Sequence, residues 1–103
     1  MIYAPLPSIE HVKHAAITVL GISREALEGP SKVRKVIRPR HIAMYLSREL
    51  TGKSFPQIGR NFGDRDHTTI LYAHRKISRA IGSDQALADD VQRVVLAIEE
   101  NRI

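Results

Sequence analysis

The sequence of 103 residues contains no cysteine and no tryptophan. Without cysteine, disulfides, zinc–thiolate sites and thiol nucleophiles are excluded. No apolar run approaches the roughly 20 residues needed to cross a bilayer. The first seven residues also lack the basic and apolar segments that direct export. We therefore expect a cytoplasmic protein without a membrane partner, built as a single domain over 1–103 with a modest core.

Positive charge is concentrated in the middle of the chain. Between Ser31 and Arg79, twelve Lys or Arg residues stand against three acids, so this segment carries +9 and the remainder −4. Such a segregated positive field most often meets nucleic acid. A solvated basic face has the same composition, so charge alone leaves both interpretations open.

Apolar residues recur at helical spacing, and no stretch alternates as a half-buried strand does. Polar caps, prolines and glycines divide the sequence into six predicted helices, at about 9–20, 24–28, 39–51, 55–62, 67–80 and 84–100. Pro39 suits the first turn of the third helix, and the preceding segment has no helical period. We therefore predict an all-α fold with a basic loop at 31–38.

The fourth and fifth predicted helices form the most informative pattern. Residues 54–57 have the composition of a capping box with a proline in the first turn. That short helix, the turn Gly63–Arg65 and an amphipathic second helix predict a helix-turn-helix over about 54–80. Gly59 lets the two helices cross closely. The first residues of the second helix in such a unit enter the major groove of DNA, and here these are residues 65–69.

The side chains at this helix start suit base reading. Asp66 accepts from the exocyclic amine of cytosine, Thr68 contacts a thymine methyl or donates, and His67 offers a donor or an acceptor. An acid that faces a polyanion is costly without a specific donor, so Asp66 favours sequence reading. A helix cap is the alternative role, and one carboxylate can serve both.

Bases around this unit are expected to hold the DNA backbone. The basic arm at 31–38 would track the backbone or reach into the minor groove. Arg40, Arg48 and Lys76 would neutralise flanking phosphates, and the helix start at Ser54 would bind another through its hydroxyl and main-chain N–H groups.

Three stretches, 38–51, 54–59 and above all 62–73, resemble the C-terminal DNA-binding domain of the bacterial replication initiator DnaA. The run Arg65-Asp66-His67-Thr68-Thr69 in this context is highly specific, and the resemblance extends from about Ile9 to about Ile98. It implies a Trp-repressor-like helix-turn-helix that binds the short, asymmetric DnaA box of consensus TTATNCACA, in replication initiation or its regulation. It also implies an association with the nucleoid.

The resemblance assigns roles residue by residue. The aspartate, the histidine and the first threonine of the run read base edges, and the second threonine touches phosphate. A family arginine that enters the minor groove aligns with Lys32. Together with the basic residues considered above, the base-reading set is Asp66, His67, Thr68, Lys32 and Arg34, and the phosphate set is Arg40, His41, Arg48, Ser54, Phe55, Pro56, Arg65, Thr69 and Lys76.

Three residues depart from the family pattern. Lys32 lacks the flat guanidinium that favours a narrow groove, so Arg34 is a second candidate for that role. Asp64 replaces a usual glycine and places a carboxylate near the backbone, from which we expect some loss of affinity. His41 replaces a usual glutamine near a phosphate contact.

Nothing in the sequence predicts catalysis, a cofactor or a metal. The ATPase core of the initiator is missing. Residues 51–54 look like the end of a phosphate-binding loop, but the motif needs glycine at position 47, which is Ser47, and a preceding strand. His11 and His14 have a chelating spacing without a third ligand, so a solvated helix face is favoured.

Several interpretations stay open. The chain is either the excised domain of an initiator or a free-standing protein that competes for initiator boxes, and the initial methionine with the departures at Lys32 and Asp64 favours the second. A transcriptional regulator could use the same unit.

A protein-interaction module is another possibility, because the last helix carries acids that could bind the initiator or a helicase loader: Asp89, Asp90, Glu99 and Glu100. RNA is disfavoured because the A-form major groove excludes a reading helix.

Overall fold

The computed structural model describes residues 6–101, which form six α-helices. These are α1 (Ile9–Leu20), α2 (Arg24–Glu28), α3 (Arg34–Thr51), α4 (Phe55–Asn61), α5 (His67–Ala80) and α6 (Gln85–Glu100). No strand occurs between residues 6 and 101, so the predicted all-α fold of six helices is confirmed. None of these helices is long and apolar enough to cross a membrane.

Short polar side chains start most of the helices. Ser8, Ser54 and Asp66 lie at the N-caps of α1, α4 and α5, and each accepts a hydrogen bond from a backbone N–H of the first turn. Ser54 and Gln57 form the predicted capping box. Gly52 ends α3 with a left-handed φ of 73°, a conformation that glycine adopts without strain.

Helix α3 begins at Arg34, which corrects the basic loop predicted at 31–38. Pro39 therefore lies inside the helix, where its missing N–H costs one hydrogen bond. The extension is offset by tertiary contacts: Val36 packs against the core, and Nη1 of Arg38 lies 3.5 Å from the Asp84 carboxylate next to α6. Neither contact is visible in the local sequence, which has no helical period before the proline.

Helix α3 lies at the centre and contacts α1, α2, α4 and α5, while α6 packs mainly on α1. The buried apolar residues of all six helices form one continuous cluster, in which the largest side chain is that of Phe62. Helices α4 and α5 are therefore fixed on one side of α3, and the remaining face of α5 is left to solvent.

A buried lysine joins three of the helices. Lys13 of α1 is only 4% exposed, and its Nζ donates to Glu28 Oε2 at 2.6 Å and to the carbonyl of Asn61. The same Nζ lies 4.9 Å from the centre of the Phe62 ring. The Lys13 hydrogen bond is the main reason that the pKa of Glu28 is lowered. This contact ties the end of α4, and thus the turn before α5, to α1 and α2.

Candidate nucleic-acid interface

The turn between α4 and α5 depends on close backbone approaches. A Cβ on Gly59 would lie 2.2 Å from the Arg65 carbonyl oxygen, and the Arg65 N–H donates to the Gly59 carbonyl at 2.8 Å. Gly63 and Asp64 both have positive φ, 71° and 57°. Aspartate is one of the few residues other than glycine that tolerate this conformation. The predicted close crossing at Gly59 is confirmed, and Asp64 occupies a left-handed position of the kind that glycine usually fills.

The same turn is packed against the end of α2. A Cβ on Gly63 would lie 1.8 Å from the Glu28 carbonyl oxygen, so only glycine fits without a backbone shift. The Arg65 guanidinium also points inward: Nη1 donates to the carbonyls of Phe62 at 2.7 Å and Glu28 at 3.2 Å, and Nη2 donates to the Gly29 carbonyl. Burial lowers the pKa of Arg65. Its guanidinium thus satisfies helix-end carbonyls that would otherwise be unpaired.

Asp66 fills the cap role considered from the sequence and keeps part of its carboxylate exposed. Its Oδ1 accepts from the Thr68 N–H and the Thr68 hydroxyl, both at 2.8 Å. These two bonds, the backbone one first, lower the pKa of Asp66, so the group is a carboxylate at neutral pH. Oδ2 has no protein partner within residues 6–101, and the side chain is 67% exposed. The cap therefore leaves one acceptor oxygen free.

The next residues of α5 face solvent. His67 has a side chain 57% exposed, with Nδ1 3.3 Å from Asp66 Oδ1, which leaves Nε2 on the outer edge of the ring. Thr68 and Thr69 are also exposed. Because the Thr68 hydroxyl hydrogen is directed at Asp66, its oxygen lone pairs and methyl group are the parts offered outward. Residues 66–69 thus present acceptors, a ring nitrogen and methyl groups from one helix end.

On α3, Arg40 and His41 are less accessible than expected. Arg40 is only 6% exposed, and its Nε and Nη2 donate to the Ala26 carbonyl at 3.0 and 2.6 Å. Burial and the nearby Arg65 lower the pKa of Arg40. Burial, with Lys76, Arg40 and Arg65 beside it, lowers the pKa of His41 from 6.5 to about 4. His41 is therefore neutral at pH 7 and offers a hydrogen bond rather than a charge.

The start of α4 carries a second group of expected contacts. Arg48 is exposed, donates from Nη1 to the Lys53 carbonyl at 2.9 Å, and lies 4.7 Å from the centre of the Phe55 ring. The Ser54 hydroxyl accepts from Gln57, and the Ser54 N–H donates back to the Gln57 side chain at 2.9 Å. Since Pro56 has no N–H, the Phe55 amide is the main-chain donor left at this helix end.

The basic arm is divided between solvent and α6. Lys32, in the loop before α3, and Arg34, its first residue, are both exposed. Arg38 instead lies between two acids, 3.5 Å from Asp84 and 3.8 Å from Asp90. Asp90 also pairs with Arg93 at 3.4 Å, so the acidic face expected on the last helix is partly neutralised.

Most exposed Lys and Arg residues of residues 6–101 have no acidic partner. Within residues 6–101, the ion-paired bases are Lys13, Arg24, Arg38 and Arg93. The exposed bases of the same range that form no ion pair are Lys32, Arg34, Lys35, Arg48, Lys53, Arg60, Arg75, Lys76 and Arg79. They lie on α3, α4 and α5 and the loops before α3 and α4, and their charge is uncompensated.

The chain was compared with protein families and with curated proteins. Residues 9–77 match the family model described as the bacterial DnaA protein helix-turn-helix. The chain belongs to this family. Chromosomal replication initiator proteins DnaA are among its relatives: that of Rhizobium meliloti is 42% identical over 92 residues, 89% of this chain and 19% of the relative. The DnaA protein of Cereibacter sphaeroides is 44% identical over 85 residues, which are 82% of this chain and 19% of that relative. The chain thus spans about a fifth of the length of these relatives.

Two other sequence features have structural explanations that fit a DnaA-type domain. In the segment that looks like a phosphate-binding loop, Thr51 donates to the Ser47 carbonyl and Gly52 ends α3, so a helix precedes the segment instead of a strand. His11 accepts the Ser8 N–H through Nδ1 as part of a helix cap. Within residues 6–101 no three potential ligands are grouped to hold a metal.

Sequence reasoning missed one group beside the interface. His74 of α5 lies 3.2 Å from Glu49 Oε2, and its ring centre is 5.1 Å from that of Tyr45 and 5.8 Å from that of Phe55. Burial is the main reason that the pKa of Tyr45 is raised. The group fixes the start of α4 on α5. The only sequence signal for this group was the spacing of four residues between Tyr45 and Glu49, which places them on the same face of α3.

Proposed function

We propose that this domain binds duplex DNA sequence-specifically, with the start of α5 in the major groove. The observation that carries the proposal is the exposed helix start 66–69, where a free carboxylate oxygen, a ring nitrogen and two threonines lie among uncompensated cations. Its chemistry matches base edges: Asp66 Oδ2 accepts from a cytosine amine, and the Thr68 methyl packs on a thymine methyl. His67 offers Nε2 to the neighbouring base.

Minor-groove contact is assigned to the loop before α3. Lys32 and Arg34 are exposed and without acidic partners within residues 6–101, so either can enter the narrow groove. Because a guanidinium is flat and less strongly hydrated than an ammonium, Arg34 is the better minor-groove reader and Lys32 the better phosphate contact. Arg38 is not assigned this role, because its guanidinium is directed to Asp84 and Asp90.

Phosphate contacts are assigned to both flanks of α5. Arg48, held against Phe55, and the Phe55 amide beside Pro56 and Ser54 serve one strand. Lys76 and neutral His41 serve the other, with Thr69 between the flanks. Arg40 and Arg65 were expected in this set, but their guanidinium groups are bound to main-chain carbonyls. We assign them to the frame that positions α5.

The proposed sites are DnaA-box-like sequences, and the proposed process is replication initiation or its regulation. The relatives named as chromosomal replication initiator proteins support this assignment, although the chain spans only about a fifth of their length. The match to a helix-turn-helix family supports a binding role for residues 9–77, and we propose that this binding needs no ATP hydrolysis by the domain. In this proposal the domain competes with other DnaA proteins for boxes.

The decisive experiment is selection of bound duplexes from a random pool. We expect enrichment of a motif related to TTATNCACA, and no enrichment with a variant that carries both His67→Ala and Thr68→Ala. The absence of an enriched motif with the unaltered protein would contradict base reading. Competition is tested by adding the protein to purified initiator and origin DNA, where unchanged box occupancy would remove that part of the proposal.

A further inference from the structure

Tyr72 is an exposed aromatic residue on α5 to which the proposed function gives no role. Its side chain is 60% exposed, whereas most large apolar side chains of residues 6–101 lie in or against the core. The exposed phenol lies on a side of α5 that otherwise carries the basic residues Arg75, Lys76 and Arg79. A single exposed aromatic residue is ordinary on a protein surface, so its position and its neighbours must carry the argument for a role.

The position of Tyr72 places it directly beyond the proposed base readers. It follows Thr68 by four residues, so it lies on the same face of α5 about 6 Å further along the axis. Helices that read the major groove use residues at i, i+3, i+4 and i+7. Counted from Thr68, Tyr72 is i+4 and Arg75 is i+7.

Two neighbours hold the Tyr72 ring. Lys76 Nζ lies 5.9 Å from the ring centre. The His41 ring packs edge-on at 6.1 Å between centres, with an angle of 80° between the planes. Both neighbours are proposed phosphate contacts, so the ring lies between the residues that face bases and those that face the backbone. An ordered ring loses less conformational entropy on binding than a free one.

The ring borders a shallow depression with a mixed apolar and basic lining. Leu71, Tyr72 and Ala80 line it together with Thr68 and the basic residues Arg75, Lys76 and Arg79. The basic residues suit base acceptors and phosphates, whereas the Tyr72 ring itself offers a flat apolar surface. This surface suits the 5-methyl group of thymine, which is the one apolar group exposed in the major groove.

We propose that Tyr72 is a further specificity-determining residue, whose ring packs on the 5-methyl group of a thymine one or two base pairs beyond the pair that Thr68 contacts. The inference rests on the proposed function, because it needs the start of α5 in the major groove. It assigns the recognition to the ring and not to the phenolic hydroxyl.

The test combines Tyr72→Ala and Tyr72→Phe with duplexes in which single thymines are replaced by deoxyuridine, which removes only the methyl group. The probe is the duplex best bound in the random-pool selection. One replacement should weaken binding of the unaltered protein roughly fourfold, the value of one buried methyl group. The same replacement should not weaken Tyr72→Ala further, and Tyr72→Phe should behave as the unaltered protein.

Leu96→Ala is the matched control, since Leu96 is 46% exposed on α6, and it should leave binding unchanged. If no deoxyuridine position distinguishes Tyr72→Ala from the unaltered protein, the inference is overturned. It is also overturned if Tyr72→Ala weakens binding equally on the selected and on a random duplex. In either case the proposed function would still stand if the unaltered protein prefers its selected duplex and Thr68→Ala removes that preference. If the unaltered protein shows no sequence preference at all, the proposed function and the Tyr72 inference are both refuted.

Discussion

The two sides of the turn before α5 differ in what they face, although their residues are neighbours in sequence. Arg65 points inward and donates to the carbonyls at the end of α2, whereas Asp66 points outward and leaves one carboxylate oxygen in solvent. One side therefore fixes the position of α5, and the other is free to bind. Charge by itself does not identify a DNA contact, because here the basic residue belongs to the frame and the acidic one to the reading surface.

The inward side should control stability. Arg65→Ala leaves the carbonyls of Phe62, Glu28 and Gly29 without their charged donor, so we expect a loss of about 3 kcal/mol in the free energy of unfolding. Arg65→Lys should recover little, because an ammonium cannot span the same acceptors. Urea unfolding followed by circular dichroism measures both. The matched control is Arg75→Ala, which removes an exposed base of α5 and should change stability by less than about 0.5 kcal/mol.

A different outcome would reverse the comparison. If Arg65→Ala unfolds like the unaltered protein and yet loses DNA affinity with a shallower salt dependence, Arg65 is a phosphate contact and not part of the frame.

The outward side should control discrimination. Thr68→Ala or His67→Ala should each cost about 1–3 kcal/mol on the preferred site and much less on random duplex, because base contacts are lost. Arg48→Ala should instead weaken binding to all sequences and lower the salt slope by about one unit. Fluorescence anisotropy titrations at several salt concentrations separate the two classes. Equal losses of the helix-start variants on both duplexes would show that they do not read bases.

His41 lies beside Arg40 and Arg65 and makes the stability of the domain sensitive to acid. Its folded pKa of about 4 lies below the ordinary 6.5, so the unfolded chain takes up a proton first as the pH falls. The associated stability is complete above pH 6.5 and is lost between 6.5 and about 4, on the order of 1–3 kcal/mol. His41→Gln should flatten the dependence of unfolding free energy on pH in this window. Parallel pH curves for the two proteins would contradict the assignment to His41.

Asp64 offers the smallest and most selective change. Asp64→Gly removes the cost of a side chain at a φ of 57° and should raise stability by about 0.5 kcal/mol. Asp64→Asn tolerates the same φ but lacks the charge, so it should strengthen binding to any duplex about twofold without stabilising the fold. Thermal unfolding and anisotropy distinguish strain from charge. If only the glycine variant binds more tightly, the carboxylate is not what limits affinity.

Much of the fold could be predicted because its signals are local. Ser54 and Asp66 start helices through bonds to N–H groups two or three residues away, so their short-range pattern identifies them in the sequence. The closeness required at Gly59 follows from the short turn. The start of α3 could not be predicted in this way, because the gain from Val36 and from the Arg38 pair with Asp84 comes from elements distant in sequence.

The candidate site could be predicted in its outward part only. Exposure of Asp66, His67 and Thr68 follows from their place at a helix start, and all three are exposed there in the structure. The inward roles of Arg40 and Arg65 could not be predicted, because their acceptors are carbonyls of residues 26–29 and a sequence pattern does not report main-chain acceptors from another element. Lys13 was hidden for the same reason, since its partners lie on α2 and α4.

The sequence by itself determined which residues start and end most helices, the family to which the chain belongs, and the chemistry offered at the start of α5. The tertiary structure alone decided which arginines are free, how far α3 extends, and that Tyr72 is held beside Lys76 and His41. The physical reason is the distance along the chain over which each kind of interaction acts. Caps and turns act over a few residues, whereas burial of a charge or a ring depends on surfaces brought together from the whole chain.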